Sequence, residues 1–158
     1  MKNVIPVIKE IKQLFTKELL LFEFYKYTTD WYYRNEELVI CINLQKSYYE
    51  QLYFLNVGIW LNEINSTTIY PKENMCHIRI RAERLFASLP DELYPRELFD
   101  LNHPVSMEKI NNIELFLTDY FGPVVDQLKS IGSLRKLYHE DFFRYSYIEK
   151  NARIIIST

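Results

Sequence analysis

The chain has 158 residues, enough to bury a substantial core without metal or disulfide staples, and its length fits a single domain over 1–158. Hydrophobic residues make up 48% and charged residues 25%, which excludes disorder over most of the length, while 16% aromatics against three glycines argues against tight glycine-built ligand loops. A net charge of −2 removes any general attraction to nucleic acid or to an anionic membrane, so anion binding has to rest on a local cluster.

Met1 to Glu10 carries scattered charges and no apolar signal-peptide run. No window reaches the roughly 18 uncharged apolar residues of a membrane span. The expected compartment is the cytoplasm. Cys41 and Cys76 are too few for a disulfide framework and read as reduced residues in or near the core.

The first element is a helix from about Val4 to Leu21. Val4, Ile8, Ile11, Phe15 and Leu19 recur at three- and four-residue spacing, with Lys9, Glu10, Lys12, Gln13 and Lys17 opposite. Pro6 sits in its first turn, where the missing amide proton costs nothing. Four strands follow, at Thr28–Arg34, Leu38–Gln45, Leu52–Leu61 and Met75–Arg81. The turns at Asn35-Glu36 and Ser47–Glu50 are too short for parallel crossovers, so the sheet is an antiparallel meander.

Residues 62–74 form a polar loop longer than the usual connection. Beyond Arg81 come one or two helical turns over Ala82–Leu89 and an irregular span with Pro90, Pro95 and Pro104. Ser106 starts a second long helix reaching about Lys129, which Gly122-Pro123 kinks or splits. A shorter helix is expected over Leu134–Phe143, and Arg153–Ser157 reads as a terminal strand or a frayed tail.

Gly58, Gly122 and Gly132 are isolated, so no phosphate-cradling glycine motif exists. His139-Glu140-Asp141 lacks a second histidine at zincin spacing, His103 stands alone, and Cys76-His77 point to opposite faces of a strand. No metal, no cofactor and no catalytic residue is therefore expected. Strand alternation leaves one constellation: Asn43, Gln45, Asn56, His77, Arg79 and Arg81 on one sheet face, with Arg84 just beyond. Arginines at i and i+2 present forked donors to a carboxylate or phosphate, and neighbouring amides fix orientation with both donors and acceptors.

A sheet with helices on one side also commonly leaves its other face wet. The set therefore reads either as a recognition surface or as a solvated face, its arginines paired with residues such as Glu37, Glu63 or Glu83. Asn56 shares parity with Phe54, Gly58 and Trp60, a mixed face that suggests a groove, or else a place where the long C-terminal helix crosses and buries those aromatics. The aromatic runs at Trp31-Tyr32-Tyr33, Tyr48-Tyr49 and Tyr145–Tyr147 lack the basic stripe of a single-strand nucleic-acid binder.

The runs Ile42–Ser47 (INLQKS), Leu55–Ile59 (LNVGI), Pro71–Glu73 (PKE) and Cys76–Arg81 (CHIRIR), followed by Glu83-Arg84-Leu85, resemble the bacterial domain of unknown function 4304 family over about Trp31 to Leu85. The resemblance implies a fold group without an activity. It also implies weight on Asn43, Gln45, Lys46, Ser47, Asn56, Gly58, His77, Arg79 and Arg81 as motif positions, although parity puts Lys46 on the other face.

The expected architecture is α+β: an antiparallel sheet of four or more strands with an N-terminal helix and C-terminal helices packed mainly on one face. The family-like core spans about 31–85 and the helical C-terminal part about 106–143. The expected function is a non-catalytic binding or interaction module using the polar sheet face and the 62–74 loop, its partner a protein. The alternative is a ligand binder or enzyme that recognises a small anionic group through Arg79, Arg81 and His77. Neither nucleic acid nor membrane is an expected partner, and oligomeric state is left open.

Overall fold

The computed structural model describes residues 4–158. Helix α1 runs Val4–Leu20 and buries Ile11, Phe15 and Leu19 as read from the sequence, but Val7 takes the next buried position one turn earlier and the expected Ile8 is only half-buried. The side chain of Val4, first in the expected stripe, lies outside the described residues, as does that of Pro6.

Six strands follow: β1 Tyr25–Tyr27, β2 Asp30–Arg34, β3 Leu38–Lys46, β4 Tyr53–Leu61, β5 Ile78–Arg81 and β6 Tyr147–Ile148. They lie side by side in chain order and every pair is antiparallel. Short turns enforce this order. Between β2 and β3, the Asn35 side-chain oxygen accepts the amides of Glu37 and Leu38, which closes the reversal. Between β1 and β2, the tight turn needs Thr28 at φ 54°, a sparsely populated conformation for a β-branched residue.

From β5 the chain makes a long helical excursion. It passes α2 Ala82–Leu85, α3 Pro95–Leu98, α4 Met107–Leu115, a π-helical turn Phe116–Phe121, α5 Gly122–Asp126 and α6 Ile131–His139. It then returns to lay β6 along β5 and ends in α7 Lys150–Ile156. The α+β arrangement matches the expectation from sequence.

The sheet's first face carries Leu38, Ile40, Ile42, Leu55, Val57, Ile59, Leu61, Ile78 and Ile80, all buried in the main core with α1 and the C-terminal helices. Aromatic side chains fill the space between layers. Phe15 lies 5.0 Å from Trp31 and 5.7 Å from Phe99 between ring centroids, and Phe116 packs against Phe86 and Phe121. The second face has a smaller buried cluster of Tyr32, Val39, Cys41, Trp60 and Cys76, with Tyr70 against it.

Several boundaries differ from the sequence reading. The long second helix is three pieces, because Pro123 cannot donate a helical hydrogen bond and the π turn just before it widens the ladder. Ser106 does cap α4, its hydroxyl accepting the Lys109 amide. The tail is a helix, not a strand: Glu149 caps it by accepting from Asn151 and Ala152, and the buried pair Ala152 and Ile156 sets a four-residue period that overrides the isoleucine run. The helices do not cross the second face, whose Trp60 end is covered by residues of the 62–77 segment instead.

Candidate functional site

On the second face, four strands line up one polar row. Asn43 pairs with Asn56 across β3 and β4, Asn56 pairs with Arg81 across β4 and β5, and Asp30 of β2 flanks Asn43. The row is hydrogen-bonded along its length. Asn43 Nδ2 donates to Asp30 Oδ1 at 2.9 Å, and Asn56 Nδ2 donates to Gln45 Oε1 at 3.0 Å and to Asn43 Oδ1 at 3.4 Å. Asn56 is buried, and side chains satisfy its Nδ2. Its Oδ1 and Gln45 Nε2 make no hydrogen bond among the described residues.

These side chains form the floor of a groove of about 480 Å³, lined by Gln45, Asn56, Glu73, Arg79, Arg81 and Arg84, with Tyr145 and Tyr147 on its far wall. A second recess of about 300 Å³, holding Asp30 and Asn43, meets it at Gln45, Glu73 and Asn74. The face is therefore concave, as a ligand site requires and a merely solvated face does not.

Aromatic rings hold the arginines in place. Arg79 Cζ lies 4.1 Å from the centroid of Tyr147, its partner across β5 and β6, and Arg81 Cζ lies 4.5 Å from that of Phe54. Stacking fixes each guanidinium plane and leaves its N–H edge for a planar anion. Arg79 Nε is buried with no hydrogen-bond partner. Among the described residues, no carboxylate comes within 4.0 Å of Arg79, Arg81 or Arg84, so the expected pairing with Glu37, Glu63 or Glu83 does not form. Glu83 instead turns inward and accepts the Leu55 amide.

The 62–77 segment closes one side. Its 3₁₀ turn, Glu73–Met75, sits on β4 at Gly58, where an added methyl would lie 2.7 Å from Cys76 Sγ and 3.1 Å from Glu73 Cα. Only a residue without a side chain lets the segment lie this close. Burial is the main push on the Glu73 carboxyl, upward from its ordinary value; Arg79 and Arg81 pull it back, and Asp30 adds to the rise. Cys41 and Cys76 are free and buried beside this turn, and burial raises both thiols, which makes them poor nucleophiles.

Five of the six residues singled out by alternation, Asn43, Gln45, Asn56, Arg79 and Arg81, thus come together. His77 does not. Strand β5 begins only at Ile78, and His77 lies at the other end of the sheet, stacked 4.2 Å from Trp60, with Nδ1 accepting the Leu61 amide at 2.9 Å. It lines neither hollow. Lys46 is exposed and donates to the Ser47 carbonyl, also apart from the groove.

Burial lowers the His77 pKa from its ordinary value of 6.5, with Glu149 opposing. A lowered folded pKa means that the stability is present above 6.5 and is lost as pH falls through the folded value. Acidification from pH 7 to 5 is expected to lower the melting temperature more in the wild type than in His77→Asn, whose Oδ1 stands where Nδ1 does and accepts the Leu61 N–H without taking up a proton. Equal slopes in thermal melts across that range would rule this role out.

Sequence reading missed Asp30, Glu73, Tyr145 and Tyr147. Asp30 had a signal, since it shares parity with Tyr32 and Arg34 on β2. Glu73 lay in the PKE run and the 62–74 loop, and Tyr145 and Tyr147 among the aromatic residues, but no local pattern brought them to the arginines, because a loop folding back and a strand returning after the helical excursion do so. Among the described residues no group of three or more histidine, cysteine or acidic side chains could hold a metal ion, and no helix is long and apolar enough to cross a membrane.

Fold and site together define an α+β protein with an antiparallel meander, helices on one face and an arginine- and amide-lined groove on the other. The chain belongs to the domain of unknown function 4304 family, whose model, described as Domain of unknown function (DUF4304), matches residues 15–124. The match takes in the groove floor and the Glu73 turn but stops short of Tyr145 and Tyr147. No curated protein and no solved structure matches the chain significantly.

Proposed function

We propose that this protein is a non-catalytic binding module whose second sheet face takes an anionic group, a carboxylate or a phosphate. The observation that carries this reading is the convergence of Arg79, Arg81 and Arg84 on one concave groove with no carboxylate in salt-bridge range among the described residues. Two of the guanidiniums are already stacked on Tyr147 and Phe54, so little side-chain freedom is lost when an anion docks. The Gln45 side-chain amide then orients it through its free Nε2 donor. In this reading His77 has no part, and the protein-interaction role expected from sequence narrows to a partner that presents an anionic group.

A thermal-shift panel of inorganic phosphate, citrate and nucleoside phosphates tests the reading. A ligand at a hundred times its dissociation constant stabilises the native state by about 2.7 kcal/mol. For a chain of this size that raises the melting temperature by roughly 5–10 °C. The wild type is expected to respond to at least one of these anions and the Arg79→Ala/Arg81→Ala variant to none. A wild type that responds to no member of the panel, or a variant that responds equally, would sink the proposal.

A further inference from the structure

The groove has two ends of opposite charge, and the negative end has no counter-ion among the described residues. Asp30 is only 6% exposed, yet its carboxylate meets neutral groups alone: Asn43 Nδ2 and the Thr29 hydroxyl at Oδ1, and the Cys41 thiol at Oδ2. Among the described residues no cation lies within 4.0 Å of it. Lys72 lines the same recess without reaching it. A buried carboxylate is costly unless it is paired or fully hydrogen-bonded, so a cation supplied from outside would be favoured here.

From this bipolarity we infer that the groove takes a short zwitterionic peptide of about three residues, its carboxylate at Arg79 and Arg81 and its amino group at Asp30. The inference rests on the anion-binding reading above and adds the second pole. The spacing fits. Asp30 and Arg81 stand on strands β2 and β5, three strand spacings apart, or about 14 Å between backbones. The charged groups are closer than that, since Arg81 leans back over Phe54 of β4. An extended chain covers roughly 3.5 Å per residue, so three residues put their terminal charges on the order of 10 Å apart.

The floor between the poles suits a peptide main chain. Asn56 Oδ1 is an acceptor and Gln45 Nε2 a donor, both without a partner among the described residues, and a peptide unit offers one N–H and one C=O. A simple phosphate or dicarboxylate would use the arginine end with Gln45 Nε2 and leave Asp30 and Asn56 Oδ1 unmatched.

Isothermal titration of the full chain with trialanine, N-acetyl-trialanine and trialanine amide tests the inference. Trialanine is expected to bind, and capping either end to weaken it at least tenfold. In Asp30→Asn the free and N-acetylated peptides should bind equally; a melting curve checks that this variant folds, and the wild-type comparison of capped with free peptide stands without it. Equal wild-type affinity for trialanine and its N-acetylated form overturns the inference while leaving the anion reading intact. Failure of all three peptides alongside a thermal response to phosphate or citrate does the same. If neither the peptides nor those anions bind, both readings fall.

Discussion

Gly58→Val is expected to lift the Glu73 turn off the sheet and open one wall of the groove, although valine suits a strand far better than glycine does. Gly58 carries no positive φ, so its backbone would accept any side chain. The obstacle is space. The first added carbon already stands 2.7 Å from Cys76 Sγ, 2.9 Å from Cys76 Cβ and 3.1 Å from the Glu73 backbone, none of which is the tip of a flexible chain. Overpacking of this kind costs about 1–3 kcal/mol. Relief comes most cheaply by displacing the 62–77 segment, because the other side is the central β3–β4 pairing.

Displacement takes Glu73 and Asn74 out of the groove wall and uncovers Cys41 and Cys76. The wild-type thiols should react slowly with a thiol reagent, and those of Gly58→Val should react fast at a temperature where the fold persists. Gly132→Ala is the control: the nearest atom to its added carbon is 4.0 Å away, and within α6 alanine should leave stability unchanged or raise it by up to about 1 kcal/mol. Unreactive thiols in Gly58→Val would contradict the packing of the turn on Gly58 and so its place in the groove wall.

Phe15→Ala is expected to produce the reverse pattern, a large loss of stability with binding retained. Phe15 is fully buried on α1, between Trp31 and Phe99 on the sheet's first face. Truncating such a ring costs about 3–5 kcal/mol in lost transfer energy and cavity. For this length that lowers the melting temperature by on the order of 10 °C. The groove lies across the sheet and takes no side chain from α1, so folded Phe15→Ala at low temperature should bind an anion as the wild type does. A variant with normal stability, or one that folds but loses binding, would break the separation of a structural face from a binding face.

How far the site was legible follows from which residues obey a local period. The two-residue period of β3, and the same period in β4 despite its mixed second face, placed Asn43, Gln45 and Asn56 on one face. β5 is only four residues long, and extending its alternation back through Cys76 and His77 put the histidine into the site when the segment before Ile78 is loop. β1, three exposed residues, is too short for any pattern to declare it. The 62–77 segment read as polar and long, but nothing local says that it folds over Gly58; that contact depends on a glycine on another strand. Tyr147 reaches Arg79 only because the chain comes back after the helices, a non-local pairing that no spacing rule anticipates.

The central claim is that the arginine- and amide-lined face is a binding site and not merely a wet surface. A ¹⁵N NMR titration of the full chain with citrate and with inorganic phosphate addresses it directly. Saturable shifts are predicted at Arg79 Nε–H and at the side-chain amides of Gln45, Asn56 and Asn43, with α1 unmoved. No saturable shift at these groups, or shifts centred on the lysine-rimmed hollow of α1 around Ile8, Lys12 and Leu20, would contradict it.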